Sequence, residues 1–216
     1  MRVVYVNTTH LLMGLFIIVR HGQSEWNLEN RFTGSTDTPL TEQGRQEAHK
    51  AGQLLKDDRF SIGFTSVLKR AIETMDIILQ ETTQTDLPIE RNAALNERNY
   101  GDLQGMNKHD AEIQFGQEQV FCWRRGYSER PPNGESLADT CKRVMEYVNA
   151  HVLPHLQKGE NVLLAAHGNS LRALMMQLEN ISPKDIEQVE LATGVPRQYT
   201  FDPEKQTFTW VKNKDE

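Results

Sequence analysis

Two histidines in this chain stand in the same local setting. His21 follows an apolar run at residues 15–19 and Arg20, and Gly22 comes after it; His167 follows the run at 161–166, with Gly168 and Asn169 after it. A neutral imidazole is a competent nucleophile. A glycine beside it lets a ligand approach the backbone, and Arg20 supplies a bidentate donor for a phosphoryl group. Either histidine alone reads as an ordinary surface or core residue. Two in one setting, each at the end of a buried-type strand, point to one shared site. A metal site needs a third ligand at suitable spacing, and His10, His49, His109, His151 and His155 follow no strand end.

The elements that must position this pair follow from the hydrophobic pattern. Short apolar or β-branched runs alternate with longer stretches of helical period, the pattern of an α/β fold with a mostly parallel central sheet and helices on both faces. Residues 15–19 and 161–166 are continuous apolar runs, as expected of strands buried on both faces. Helices are expected at 42–56 with Thr41 as N-cap, at 67–81, and from Ser136, where Asp139 three positions on resembles a capping box. That last helix carries Leu137, Cys141, Val144, Val148 and Val152 at helical spacing. A further helix is expected at 170–178, and amphipathic strands at 197–201 and 207–211. Ligands of open α/β sheets bind outside the carboxyl ends of the strands, so both histidines occupy a functional edge if their strands are neighbours. The stretch 88–132, rich in charge and in aromatics (Tyr100, Phe115, Phe121, Trp123, Tyr127), breaks the rhythm; an insertion of that length usually belongs to a site.

Composition narrows the class of ligand. The chain has 216 residues with 38% hydrophobic and 25% charged, an ordinary globular balance. Its formal charge of −6 provides no basic field for nucleic acid, so any anion must be gripped by a local cluster of cations. Two cysteines, Cys122 and Cys141, suit a reducing, cytoplasmic compartment. The apolar run near the start is too short for a membrane helix and lacks a small-residue cleavage site, so no membrane span and no signal peptide are expected. Residues 1–12 read as an amino-terminal appendage and 13–216 as a single catalytic domain.

Beyond the histidines, the chain carries an ordered set of strings. Arg20-His21-Gly22 with Ser24 and Asn27, Thr65-Ser66 and Arg70, and His167-Gly168-Asn169 resemble the histidine phosphatase superfamily. More narrowly, Phe32-Thr33-Gly34, the run from Leu40 to Gly44, Leu95-Asn96-Glu97-Arg98-Asn99-Tyr100-Gly101, Trp123-Arg124-Arg125 and Gly134-Glu135-Ser136-Leu137 resemble the 2,3-bisphosphoglycerate-dependent phosphoglycerate mutases. The resemblance implies that His21 takes up and donates the phosphoryl group, that Glu97 is general acid and base, and that Arg20, Arg70 and His167 hold the transferred group. It further implies substrate contacts from Ser24, Asn27, Thr33, Gly34, Arg98, Tyr100, Lys108, Arg124, Arg125, Gly168 and Asn169. A small phosphorylated substrate, 2,3-bisphosphoglycerate as phosphoryl primer, no metal, and a homodimer or homotetramer are in keeping with the family.

The residue types agree with that chemistry. A metal-free site must stabilise the charge of a transferring phosphoryl group with fixed cations and donors, which Arg20, Arg70 and an imidazole provide. Moving the group between two hydroxyls also needs a proton acceptor and donor, and Glu97 is the candidate. Lys108, Arg124 and Arg125 fall on the insertion that carries Glu97, where a substrate with a second anionic group needs them. A broad phosphomonoesterase shares the histidines but has no need of those three cations; a non-catalytic phospho-ligand module has no need of an intact reacting set. Three departures from the family pattern stand out. Ser35 stands where an aromatic is usual, which bears on the packing of its loop; Phe64 replaces a tyrosine, a change expected to be harmless in a buried strand; and the polar tail at 212–216 offers little apolar cover.

Overall fold

The two apolar runs form adjacent strands. A computed structural model describes residues 13–211, and both the appendage at 1–12 and the tail at 212–216 lie outside that range. The chain opens with β1 (Gly14–Arg20), a single helical turn α1 (Glu25–Leu28) and α2 (Glu42–Leu54). Then come β2 (Ile62–Thr65), α3 (Lys69–Glu81) and the three-residue β3 (Ile89–Arg91). Two short 3-10 turns, Ala93–Leu95 and Gly101–Leu103, lead into α4 (Lys108–Phe115) and α5 (Gln117–Arg125). Next are α6 (Leu137–Tyr147), a widened turn at Val148–Val152 and α7 (Leu153–Gln157). The remainder is β4 (Val162–Ala166), α8 (Gly168–Leu178), a 3-10 turn at Asp185–Gln188, β5 (Pro196–Asp202) and β6 (Thr207–Trp210).

The sheet runs β3-β2-β4-β1-β5-β6. The first four strands in that order are parallel, and β5 and β6 add an antiparallel edge. Successive side chains of a strand point to opposite faces, and both faces are covered here. Ile17, Val19, Leu163 and Ala165 pack against Ala51 after Gly44 on α2 and against Met75, Ile78 and Leu79 of α3. Phe16, Ile18, Leu164 and Ala166 pack against Val144 and Tyr147 of α6 and Leu171, Leu174 and Met175 of α8. This two-sided burial is why the runs lack polar alternation.

Helix starts follow local chemistry. Thr41 Oγ1 accepts from the Gly44 N–H at 3.0 Å, and Ser136 Oγ accepts from the Asp139 N–H at 3.1 Å while the Asp139 carboxylate accepts from the Ser136 N–H at 2.9 Å. The long helix expected from Ser136 is interrupted by the widened turn at 148–152 because Pro154, at the start of α7, has no N–H and its ring crowds the carbonyl one turn back. The insertion builds a core of its own from Phe32, Tyr100, Leu103, Ala111, Val120 and Trp123. Among the described residues, no helix is long and apolar enough to cross a membrane.

One close approach fixes the carboxyl end of β1. A Cβ on Gly22 would lie 2.0 Å from the Gly44 carbonyl oxygen, and one on Gly44 would lie 2.1 Å from that of Gln23. Only paired glycines let the start of α2 rest on the backbone beside His21. The space expected for a ligand at Gly22 is thus taken by the chain itself.

Candidate active site

Strand pairing brings the histidines together. Arg20 of β1 is in register with Ala166 of β4, and the His21 N–H continues the ladder to the Ala166 carbonyl at 3.0 Å. The next residue on each strand is a histidine, and the two ring centroids are 4.9 Å apart. His21 Nδ1 lies 2.7 Å from the Gly22 carbonyl oxygen, an acceptor only, so Nδ1 carries the hydrogen and the lone pair is on Nε2. Arg70 Nε donates to that Nε2 at 3.2 Å. Burial, then the charges of Arg70 and Arg20, hold the His21 pKa well below the usual imidazole range. The ring is a neutral base aimed at the cationic cluster. His167 is fully buried, its Nε2 is 2.7 Å from Ser66 Oγ, and its Nδ1 has no hydrogen-bond partner among the described residues. Burial, then Arg70, lowers its pKa likewise.

The arginines are placed by backbone carbonyls. Arg70, buried on the first turn of α3, donates from Nη1 to the Thr36 carbonyl and from Nη2 to that of Gly34, each at 2.8 Å. Burial pushes its pKa down to about 10. Arg20 Nη1 donates to the Leu191 carbonyl at 2.7 Å, and its Nε is buried without a partner among the described residues. Thr33 Oγ1 on the same cavity wall is likewise buried and unpartnered. Two unpartnered polar groups in the cavity that holds the nucleophile are what an incoming phosphoryl group would satisfy.

Glu97 sits on the amino end of α8. Its Oε1 accepts from the Arg98 N–H at 2.8 Å and the Asn169 N–H at 3.0 Å. The loop beneath is pinned by Arg143 of α6, which donates to the carbonyls of Ala94, Asn96 and Glu97 and to the Glu135 carboxylate. The far wall comes from the insertion: Lys108 opens α4, and Arg124 and Arg125 close α5. Burial, then the charges of Arg124 and Arg20, push the Lys108 pKa down to about 8, against the opposing pull of Glu97.

Arg20, His21, Asn27, Thr33, Gly34, Arg70, Glu97, Tyr100, Lys108, Arg124, Arg125, Gly168 and Asn169 line one cavity. Ser24, Arg98 and His167 do not; His167 lies fully buried beside the His21 ring. Ser24 is fully buried at the N-cap of α1, where its N–H bonds to Asn27 Oδ1 at 3.2 Å. Arg98 is fully buried behind the wall, its guanidinium 4.8 Å from the Tyr100 ring centroid; it donates to the Tyr100 hydroxyl at 2.9 Å and the Arg124 carbonyl at 2.7 Å. Both shape contact residues rather than face the cavity. Ser35, the departure from an aromatic, is held through its N–H and hydroxyl by Gln104 Oε1 at 2.8 and 3.1 Å, which packs the loop by another route. Phe64 is fully buried in β2, as expected.

The cavity also takes in Arg31, Phe32, Arg172, Val189, Glu190 and Leu191, none of them anticipated from the sequence. Arg172 lies one helical turn after Gly168 and Asn169, a spacing that puts all three on one side of α8 and was the available signal. It donates to Asn169 Oδ1 at 2.9 Å and to the carbonyls of Arg125 and Ile186. The strap at 186–191 meets the site through such backbone carbonyls, which leave no mark in a sequence.

This fold and site define a class. The chain belongs to the histidine phosphatase superfamily (branch 1), whose family model matches residues 16–214. Among its relatives, a protein of Cytophaga hutchinsonii named 2,3-bisphosphoglycerate-dependent phosphoglycerate mutase is 58% identical over 88% of this chain and 88% of its own. One of Bartonella tribocorum with the same name is 53% identical over 87% of this chain and 92% of its own. Bacillus stearothermophilus YhfR superposes with a TM-score of 0.81 at 29% identity, covering 92% of this chain and 95% of its own. The phosphoglycerate mutase of Bacillus anthracis gives 0.76 at 22% identity, over 94% and 93%, and shares the fold.

Proposed function

We propose that this protein interconverts 3-phosphoglycerate and 2-phosphoglycerate, a step of glycolysis and gluconeogenesis, through a phosphohistidine at His21. The observation that carries the reading is that Lys108, Arg124 and Arg125 line the same cavity as His21. A simple phosphomonoester offers no second anionic group for such a wall, whereas a phosphoglycerate does. Bound 2,3-bisphosphoglycerate would supply the phosphoryl group that primes His21, held by Arg20 and Arg70 at the reacting end and by the insertion cations at the other; the orphaned Thr33 Oγ1 and Arg20 Nε suit such a ligand.

From the primed state a substrate hydroxyl attacks the phosphorus on His21, the N–P bond breaks and its electron pair returns to Nε2; that lone pair then takes the phosphoryl group from the other position as its oxygen leaves. Arg20, Arg70 and His167 stabilise the charge on the phosphoryl oxygens. Glu97 takes the proton of the attacking hydroxyl in the first transfer and returns it to the leaving oxygen in the second, so that His21 ends phosphorylated again. Gly168 borders the Glu97 carboxylate and the Arg20 guanidinium, and a Cβ there would rest in ordinary van der Waals contact with both at 3.5 to 3.6 Å. Asn27, Gly34, Tyr100 and Asn169 complete the substrate contacts, and the enzyme works in the cytoplasm as a homodimer or homotetramer. The test is the mutase rate with and without added 2,3-bisphosphoglycerate, together with labelling by phosphate-labelled bisphosphoglycerate. Wild type should need the primer and acquire an acid-labile, base-stable label, and His21→Ala should lose both. Hydrolysis of phosphomonoesters without mutase turnover would favour the phosphatase alternative, and binding without turnover a non-catalytic module.

A further inference from the structure

Glu190 is out of keeping with its surroundings. Among the described residues, it and Glu97 are the acids on a cavity wall otherwise rich in arginine. Glu97 has a proton to move; Glu190 is on the strap, with its side chain 82% exposed. Its Oε1 lies 3.5 Å from Arg125 Nη1. The other two nitrogens of that guanidinium are held by the same strap, Nε donating to the Glu187 carbonyl at 2.8 Å and Nη2 to that of Val189 at 3.1 Å. Arg125 therefore reaches the cavity with one edge fixed to backbone and its remaining nitrogen beside a carboxylate. A ligand anion arriving at Nη1 meets a resident one.

We propose that Glu190 is a specificity-determining residue: its carboxylate stands in at Arg125 for the second anionic group of the substrate, which must displace it to bind. This rests on the reading of Arg125 as part of the distal grip. The displaced carboxylate is solvent-exposed, so it is a small barrier that the substrate overcomes, and it bears on ligands reaching Arg125 more than on those held only at His21. Calorimetric Kd values for 3-phosphoglycerate and for inorganic phosphate in wild type, Glu190→Gln and Glu187→Gln test it. Glu187→Gln removes the same charge from the same strap but not from the cavity wall, and wild type should prefer 3-phosphoglycerate. Glu190→Gln should tighten 3-phosphoglycerate by ~2–5-fold, the scale of an exposed ion pair, with phosphate and Glu187→Gln unchanged. An unchanged 3-phosphoglycerate Kd, an equal gain for phosphate, or an equal gain in Glu187→Gln overturns the proposal. Mutase turnover in the same wild-type preparation reports separately on the function: binding preference without turnover removes the mutase reading alone, while no wild-type preference for 3-phosphoglycerate removes the distal grip and the role of Glu190 with it.

Discussion

Lys108 shows how the site's cations bear on one another. Its lowered pKa comes from burial first and from Arg124 and Arg20 next. In the free enzyme its charge is lost as pH rises through about 8, and with it part of the attraction for the distal anion. The kcat/KM for phosphoglycerate, which reports the free enzyme, should decline above that pH. Lys108→Arg should carry the limb to higher pH, because a guanidinium stays charged there; a pH profile of the two proteins checks both outcomes. The groups nearest the reaction were legible in the sequence because they come as local strings at strand and helix ends. Arg98 shows the limit of such reading. It belongs to the Glu97 string, yet its side chain turns behind the wall to hold Tyr100 and Arg124, and adjacency in sequence carries no information about which side of a loop a side chain takes.

At the level of elements, β1, β4 and α8 were readable because each is buried and apolar over several residues. The three-residue β3, Ile89–Arg91, was not: it is an edge strand with two charged residues of three, and its pairing with β2 supplies what its own sequence does not. Helices α4 and α5 were hidden for another reason. Their apolar side chains face a small core shared with Phe32 and Tyr100, too irregular to give a clean helical period. The contact between the β1 end and α2 makes a sharper claim. Gly44→Ala puts a Cβ 2.1 Å from the Gln23 carbonyl oxygen, and backbone cannot yield as a flexible side chain does. The substitution should cost ~1–3 kcal/mol, seen as a lower Tm, and should slow labelling of His21, two residues from the clash. A helix-favouring alanine that left both unchanged would mean that α2 can move without the nucleophile.

For the molecule as a whole, burying two neutral imidazoles ties folding to pH. His21 and His167 have folded-state pKa values well below 6.5, so between those values and 6.5 the unfolded chain binds more protons than the folded one. Their contribution to stability is therefore fully present above 6.5 and is lost as pH falls below it, by up to about 1.4 kcal/mol per pH unit for each proton. Denaturant unfolding at pH 7.0 and 5.5 should show that loss, and His21→Gln should shrink it. The pairing of β1 with β4 also sets an order of events in time. Strand β1 is made well before β4, with β2, α3 and the whole insertion between them. Contacts of such long sequence separation form late, after local helices and hairpins. A ribosome that has reached α7 thus carries a nucleophile with no site around it. The site closes only once β4 and α8 have emerged and packed beside a strand made long before.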